Sequence, residues 1–400
     1  MVDAIPRLVL KGMDKKYNDW MAKVRQFDHT VVALEEELLD ECINPPDSHC
    51  HFDDKYSADA WHNCQLLFAK HMSEMEIVKQ IMPELTVCLT GNPRTDFLRQ
   101  ELVSAYYPAR DKISRIVSSN FILINMNTGY INSSLSADQL LEVGTLGALG
   151  SSVAVEEWSE SHDERMDAYA EWEKYNLKSV CKLIELFGQC SSNQKIIIRP
   201  HPSESLEIYT RLSRKYQNVE IASNRESARP WILASDILIH TGCTTGAEAV
   251  AMNHPTISIQ EKGSEHIRFR ASNNVSYLTH MAEEAYQAVQ DFYAGKLKLG
   301  NASKLKEFWP VQEGKFAAER IADEMHQFYL ELGGSFGAFK LSFSDKFRQP
   351  LKVPADIHKK MHVGLPQIEH ILGQISRQIP AVPNIELHEI CTNVFYMCPS

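Results

Sequence analysis

From residue 7 onward, short apolar runs alternate with longer amphipathic stretches. The runs Leu8–Leu10, Thr30–Leu34, Leu66–Ala69 and Thr86–Leu89 carry few alternating polar positions. They read as strands buried on both faces, as in a parallel sheet. Helical spacing is predicted between them at Lys15–Phe27, Met72–Ile81 and Arg94–Tyr107. A charged stretch around Arg110–Arg115 separates this series from a second. Its strands are Phe121–Asn125, Lys195–Ile198, Val219–Ala222, Asp236–Ile239 and Thr256–Ile259. Asp163–Phe187, Ser203–Tyr216, Ala282–Tyr293 and Ala317–Leu332 are the expected helices, with Ser203 as a cap. Strands alternating with helices predict an α/β protein with doubly wound parallel sheets. Beyond Gly333 several prolines interrupt the pattern, and the tail is expected to be irregular.

Length turns two series into two domains, because 400 residues exceed one ordinary core. The expected division is 1–110, 111–310 and a C-terminal helix and tail over 311–400. A hydrophobic fraction of 44% and a charged fraction of 23% are those of a globular protein. The formal net charge of -11 argues against nucleic acid as a partner, since a phosphate backbone needs concentrated Lys and Arg. A small phosphorylated ligand needs only local donors. No apolar run reaches the roughly 20 residues of a membrane span, and the first residues lack a leader's apolar stretch. Nine scattered cysteines fit reduced thiols. A cytoplasmic protein is expected, compatible with peripheral attachment at the inner face of a membrane.

Two strand ends carry the strongest chemical signal, IIIRPHPSE and DILIHTGCTTGAEA. Both are placed at the carboxyl edge of the second sheet, where open α/β folds bind ligands. Arg199 and His201 leave the first strand together, between Pro200 and Pro202, which stiffen the loop. His201 can donate to a phosphate oxygen or a base and Arg199 can supply charge; the plain alternative is that His201 shapes a turn. In the second motif His240 ends the strand. Thr241, Gly242, Cys243, Thr244, Thr245 and Gly246 then make a small, hydroxyl-rich turn into a helix. Such a turn brings phosphate to the positive end of a helix dipole. Glu248 has two readings: a capping box with Thr245, or an acceptor for ribose hydroxyls.

Weaker features lie elsewhere. Thr90–Arg99 (TGNPRTDFLR) reads as a connection between domains with a capped helix. Glu35, Glu36 and Glu37 follow a strand at its carboxyl edge. They read either as a solvated helix start or, with Glu35 and Glu36 in a cleft, as a general acid or base raised by crowding. Cys42, His49, Cys50, His51, His62 and Cys64 match no zinc spacing, so no metal is expected.

Taken in order, ALEEELL, LLFAKHMSEMEIVKQ, LTGNPRTDFLR, FILINMNTGYIN, IIIRPHPSE and ILIHTGCTTGAEAVAMNHPTISI resemble the surface carbohydrate biosynthesis proteins of bacterial polysaccharide gene clusters. The resemblance runs from about Val31 to Ser276. Its HP and H-x-G-x-T-T motifs are similar to those of glycerophosphate polymerases and some CMP-sugar-dependent transferases. It implies a GT-B-like fold of two Rossmann-like domains, the first shortened at its N-terminus. It also implies sugar transfer from a nucleotide-activated donor to a surface polysaccharide or lipid-linked acceptor; donors and a helix dipole that meet the leaving phosphate remove the need for a metal, so no cofactor is expected. His201 and Pro202 fall on the HP position, and His240, Thr244, Thr245 and Glu248 on the second motif. Leu38 stands where the family has a glycine after its acids, and Asn127-Thr128 where it has Asn-Phe. Two other readings stay open, a nucleotide-sugar epimerase of the same fold and a catalytically silent nucleotide-binding protein.

Overall fold

A computed structural model describes residues 8–11, 21–22, 25–26, 30–34, 62–117, 120–133, 160–190, 193–223, 227–264, 270–309, 313–332, 365–378, 385–391 and 394–399. The protein is α/β, built on two parallel sheets. The first holds β1 (Leu8–Lys11), β2 (Thr30–Leu34), β3 (Leu66–Ala69) and β4 (Thr86–Leu89), in that order. The second holds β5 (Phe121–Asn125), β6 (Lys195–Arg199), β7 (Val219–Ile221), β8 (Ile237–His240), β9 (Thr256–Ile259) and β10 (Tyr277–Thr279). Its spatial order is β10-β9-β8-β5-β6-β7, every neighbour parallel. That is the dinucleotide-fold order 3-2-1-4-5-6 read from the far edge, so the direction of winding reverses between β5 and β8. A crevice opens at such a reversal beyond the carboxyl ends of the strands.

Among the described helices are α1 (Met72–Ile81), α2 (Pro93–Asp96), α3 (Tyr107–Val117), α4 (Glu160–Cys190), α5 (Glu207–Lys215), α6 (Ala228–Ala234), α7 (Thr244–Ala251), α8 (Arg270–Val275), α9 (Ala282–Tyr293), α10 (Ala317–Glu331) and α11 (Leu365–Gln378). One face of the second sheet puts Ile122, Ile124, Ile196, Ile198, Ile237 and Ile239 against Val180, Leu183 and Phe187 of α4, Tyr209 and Leu212 of α5, and Ala285 and Val289 of α9. The opposite face packs Phe121, Leu123, Ile197 and Leu238 against Ile113 and Val117 of α3, Trp231 and Ile232 of α6, and Ala247 and Val250 of α7. Each such Ile, Leu or Phe side chain contributes about 1.5–3 kcal/mol on leaving water, which is why apolar runs become central strands.

The first sheet takes one of its layers from far along the chain. Val31, Ala33 and Leu67 pack with Ile77 and Val78 of α1. Val32, Leu66 and Phe68, on the other face, pack against Ile321 of α10, with Met325 and Phe328 alongside. Asp96 fixes the start of that helix: its carboxylate accepts from the Ala317 N–H at 2.8 Å and the Ala318 N–H at 3.0 Å. Arg99 donates to the Gly314 carbonyl at 3.0 Å, and its guanidinium lies 4.1 Å from the Phe316 ring centre. Residues 92–99 thus form a clamp on the returning C-terminal segment, a role the sequence reading gave only to a capped connection.

Three expected elements differ. Arg94–Tyr107 is not one helix. It is the short α2, capped by Asn92, and a 3-10 turn over Val103–Tyr106. Its side chains are committed to the clamp instead of a helical face. Ser203–Tyr216 begins later, at Glu207, because Ser203 bonds the His201 ring. The tail expected to be irregular contains α11 and an antiparallel hairpin of β11 (Ile385–Cys391) and β12 (Val394–Pro399).

Candidate functional site

The carboxyl ends of β5, β6 and β8 bring the two sequence motifs together. Asn125 is in register with Arg199 on one side and His240 on the other. Leu123, Ile197 and Leu238, two residues earlier on these strands, face α3, α6 and α7, so the row Arg199, Asn125, His240 faces the same way. Asn125 is buried, and neither end of its amide meets a hydrogen-bond partner among the described residues. Arg199 is half-buried, while His201 and Pro202 are exposed on the next loop.

His240 is a structural residue of the turn. Its Nδ1 accepts from the Gly242 N–H at 3.0 Å, so Nε2 carries the proton and faces Ser276 Oγ at 2.9 Å. Gly242 has φ +79°, which only glycine adopts without strain. The ring lies beneath the first turn of α7, where a Cβ on Gly246 would sit 2.3 Å from His240 Nε2. Glycine at 246 is thus what lets helix and ring approach. Thr241 Oγ1 donates to Asn127 Oδ1, joining the loops of β8 and β5 across the crevice.

Helix α7 opens at this point. Thr244 and Thr245, half-buried, are its first two residues and Cys243 is its N-cap. The cap is a thiol beside Thr245 Oγ1, and burial pushes the thiol up, keeping the sulfur neutral. No acid stands in the first turn. Helix α10, which has only to be stable, differs: the Asp96 carboxylate occupies its N-terminus and Glu319 accepts from the Phe316 N–H at 2.8 Å. The positive end of α7 is therefore not offset by any charge of its own.

Glu248 forms no capping box with Thr245, because the helix already begins at Thr244. Instead its two carboxylate oxygens accept from Arg229 Nε at 3.1 Å and Nη2 at 3.0 Å. Arg229 Nη1 reaches Tyr106 Oη at 3.2 Å. The pair is largely buried, with side chains 17% and 7% exposed.

Several groups that shape the crevice went unread in the sequence. Glu204, in the HP loop itself, and Glu173 and Trp172, on α4, are buried. Helix α4 has 31 residues, about 46 Å of length, against about 17 Å for a five-residue strand. The excess reaches the carboxyl edge. There Glu173 accepts from the Tyr130 and Ile131 N–H groups at 2.9 and 3.0 Å, and Trp172 Nε1 donates to Gln260 at 3.1 Å. A signal existed: Tyr169, Trp172, Glu173, Asn176 and Val180 follow helical spacing, so Glu173 lies on the buried stripe.

Glu35, Glu36 and Glu37 lie outside the described residues, as do Cys42, His49, Cys50 and His51. Cys64 is buried, donates to the Leu66 carbonyl at 3.1 Å, and is pushed up to about 12 by desolvation.

Two histidines, the buried His240 and the half-buried His254, give the fold a pH dependence. Desolvation lowers His240 to about 3 and His254 to about 4. In the unfolded chain both titrate near the ordinary value of about 6.5. The unfolded state thus binds more protons below that value, and stability is lost as pH falls from 6.5 toward 4 and 3. Between pH 6 and 5 urea denaturation should show a loss of about 1 kcal/mol per histidine. His254→Gln should remove about half of it; an unchanged slope would mean that His254 is protonated in the fold.

No known protein family and no curated protein matches the chain by sequence. In overall build it is similar to the UDP-GlcNAc 2-epimerase of Methanocaldococcus jannaschii, at 13% identity over 80% of this chain and 76% of that one, TM-score 0.46. A second UDP-N-acetylglucosamine 2-epimerase gives 13% identity over 84% and 76%, TM-score 0.48. The wall teichoic acid polymerase TagF gives 14% identity over 76% and 69%, TM-score 0.41.

Proposed function

We propose that the second unit of this GT-B-like protein binds the nucleotide of an activated sugar, and that the chain transfers the sugar to a polysaccharide or lipid-linked acceptor. One observation carries the reading: α7, uncapped by charge, starts at the reversal point of a dinucleotide-fold sheet. A phosphate there gains N–H donors and the helix dipole at once. Arg199, His201 and Pro202 would flank the nucleotide on one side. Thr241, Gly242, Thr244 and Thr245 would flank it on the other, with His240 holding their turn. Glu248, fixed by Arg229, would still have lone pairs for ribose hydroxyls.

The chemistry asked of these residues is modest. A leaving nucleoside phosphate needs its developing charge met by fixed donors in a site with little water. The opening of α7 and the Thr244 and Thr245 hydroxyls supply those donors. No step requires a metal or cofactor. The first unit would bind the acceptor, with Glu35 or Glu36 as the acid or base.

Calorimetry with CMP, CDP, UDP and GDP tests the reading. One nucleotide should bind preferentially, and its nucleoside, lacking phosphate, at least about tenfold more weakly. If none of the four binds, the nucleotide site is refuted. With the matching nucleotide-sugar, consumption only in the presence of an acceptor supports transfer. Interconversion of the donor alone would replace it by epimerisation.

A further inference from the structure

Glu204 lies in the HP loop, yet its side chain turns inward and is 3% exposed. One carboxylate oxygen accepts from the Thr128 N–H and from Thr128 Oγ1 at 3.1 Å. The other accepts from the His201 N–H at 3.1 Å and from Tyr209 Oη at 2.9 Å. The loops after β5 and β6 therefore hang on one carboxylate. Around it the Ser205 N–H donates to the Asn132 carbonyl at 2.7 Å, and Asn132 Nδ2 returns a bond to the Ser205 carbonyl at 3.1 Å.

This arrangement decides what each loop can offer a ligand. The N–H groups of Thr128, Tyr130 and Ile131 are spent on Glu204 and Glu173, so the β5 loop is no nest for an anion. The β6 loop presents the exposed His201 ring. Its Nδ1 accepts from the Ser203 N–H at 3.3 Å and faces Ser203 Oγ at 2.7 Å, which places the proton on Nε2. Gly129 makes this fit, since a Cβ there would come within 2.3 Å of Ser203 Oγ. A buried carboxylate beneath a ligand site is costly in itself, and burial pushes Glu204 above the usual carboxylate range despite its four donors.

We infer that Glu204 is a positioning residue for nucleotide binding, acting through the backbone and ring orientation of His201. The inference rests on the nucleotide reading above. Glutamine cannot replace it. Turning its amide oxygen to Thr128 leaves its NH2 facing the His201 N–H, and turning it the other way leaves the NH2 facing Thr128.

A double-mutant cycle on the intact chain tests this, with affinity measured for whichever of CMP, CDP, UDP or GDP binds the unaltered protein. Glu204→Gln should weaken binding about tenfold. Added to His201→Ala, it should weaken binding no further, because its path is already cut. Long-range 15N–1H spectra of the ligand-free protein should show His201 as the Nε2–H form, and Glu204→Gln should turn it into a mixture. Equal losses with and without His201 would overturn the inference, as would an unchanged tautomer. If no nucleotide binds the unaltered protein, the function proposed above fails, and the tautomer alone decides the role of Glu204. Should Glu204→Gln not fold, Tyr209→Phe, which removes one donor to the same oxygen, should show the same pattern with smaller changes.

Discussion

Arg229→Ala is expected to destabilise the second unit by about 3–5 kcal/mol, the cost of leaving a buried carboxylate without its partner. Glu248 lies on the buried face of α7, with its side chain 7% exposed, and both oxygens are held by one guanidinium. Removing Arg229 strands this charge beside Tyr106 and also opens a gap beneath α6. Taking out both partners should cost much less. Arg229→Met combined with Glu248→Leu replaces the ion pair by apolar volume and should recover most of the loss. Urea unfolding followed by tryptophan fluorescence measures both, since Trp231 lies two residues from Arg229 on the same helix. A single-variant loss under about 1 kcal/mol would mean that water reaches the pair and screens it.

This ion pair also shows what a linear reading sees and misses. Thr245-x-x-Glu248 has the spacing of a capping box, and the spacing is real. The cap, however, lies two residues earlier, at Cys243, and an arginine 19 positions away claims the carboxylate. Local spacing cannot weigh a partner that only folding brings near. The same holds for Glu173 and Glu204, which nothing in a charged helix or a polar loop marks as buried.

The strands were more legible because burial on both faces leaves a mark that needs no partner. IIIR and FILIN have the composition of central strands, and β5 and β6 both lie inside their sheet, each with a strand on either side. At the edge the mark fades: β10 has three residues, with Tyr277 and Leu278 exposed, and it was not anticipated. Helix α3 was read as a charged boundary because only Ile113 and Val117 among its residues are fully buried. The layer that α10 places on the first sheet was invisible, since nothing in residues 317–331 names Val32, Leu66 and Phe68 as neighbours.

The motifs themselves were legible as places. A strand ending in His240 and another ending at Arg199 do meet at the reversal of the sheet. Their roles were less so. His240 falls on the second motif in the sequence; in the fold its Nδ1 accepts from the Gly242 N–H inside the turn and its Nε2 faces Ser276 Oγ, on the segment after α8.

The opening of α7 can be tested apart from the stability of the helix. Thr245→Asp puts a carboxylate at the second residue of α7, where acids favour helices by about 0.3–1 kcal/mol. The same charge would repel a phosphate and satisfy the dipole that should attract it. The measurement is nucleotide affinity by calorimetry beside the melting temperature, for Thr245→Asp and the unaltered protein. Affinity should fall at least about a hundredfold while the melting temperature holds or rises. Nucleotide binding within about threefold of the unaltered protein, a difference under about 0.7 kcal/mol, would show that α7 does not hold the phosphate.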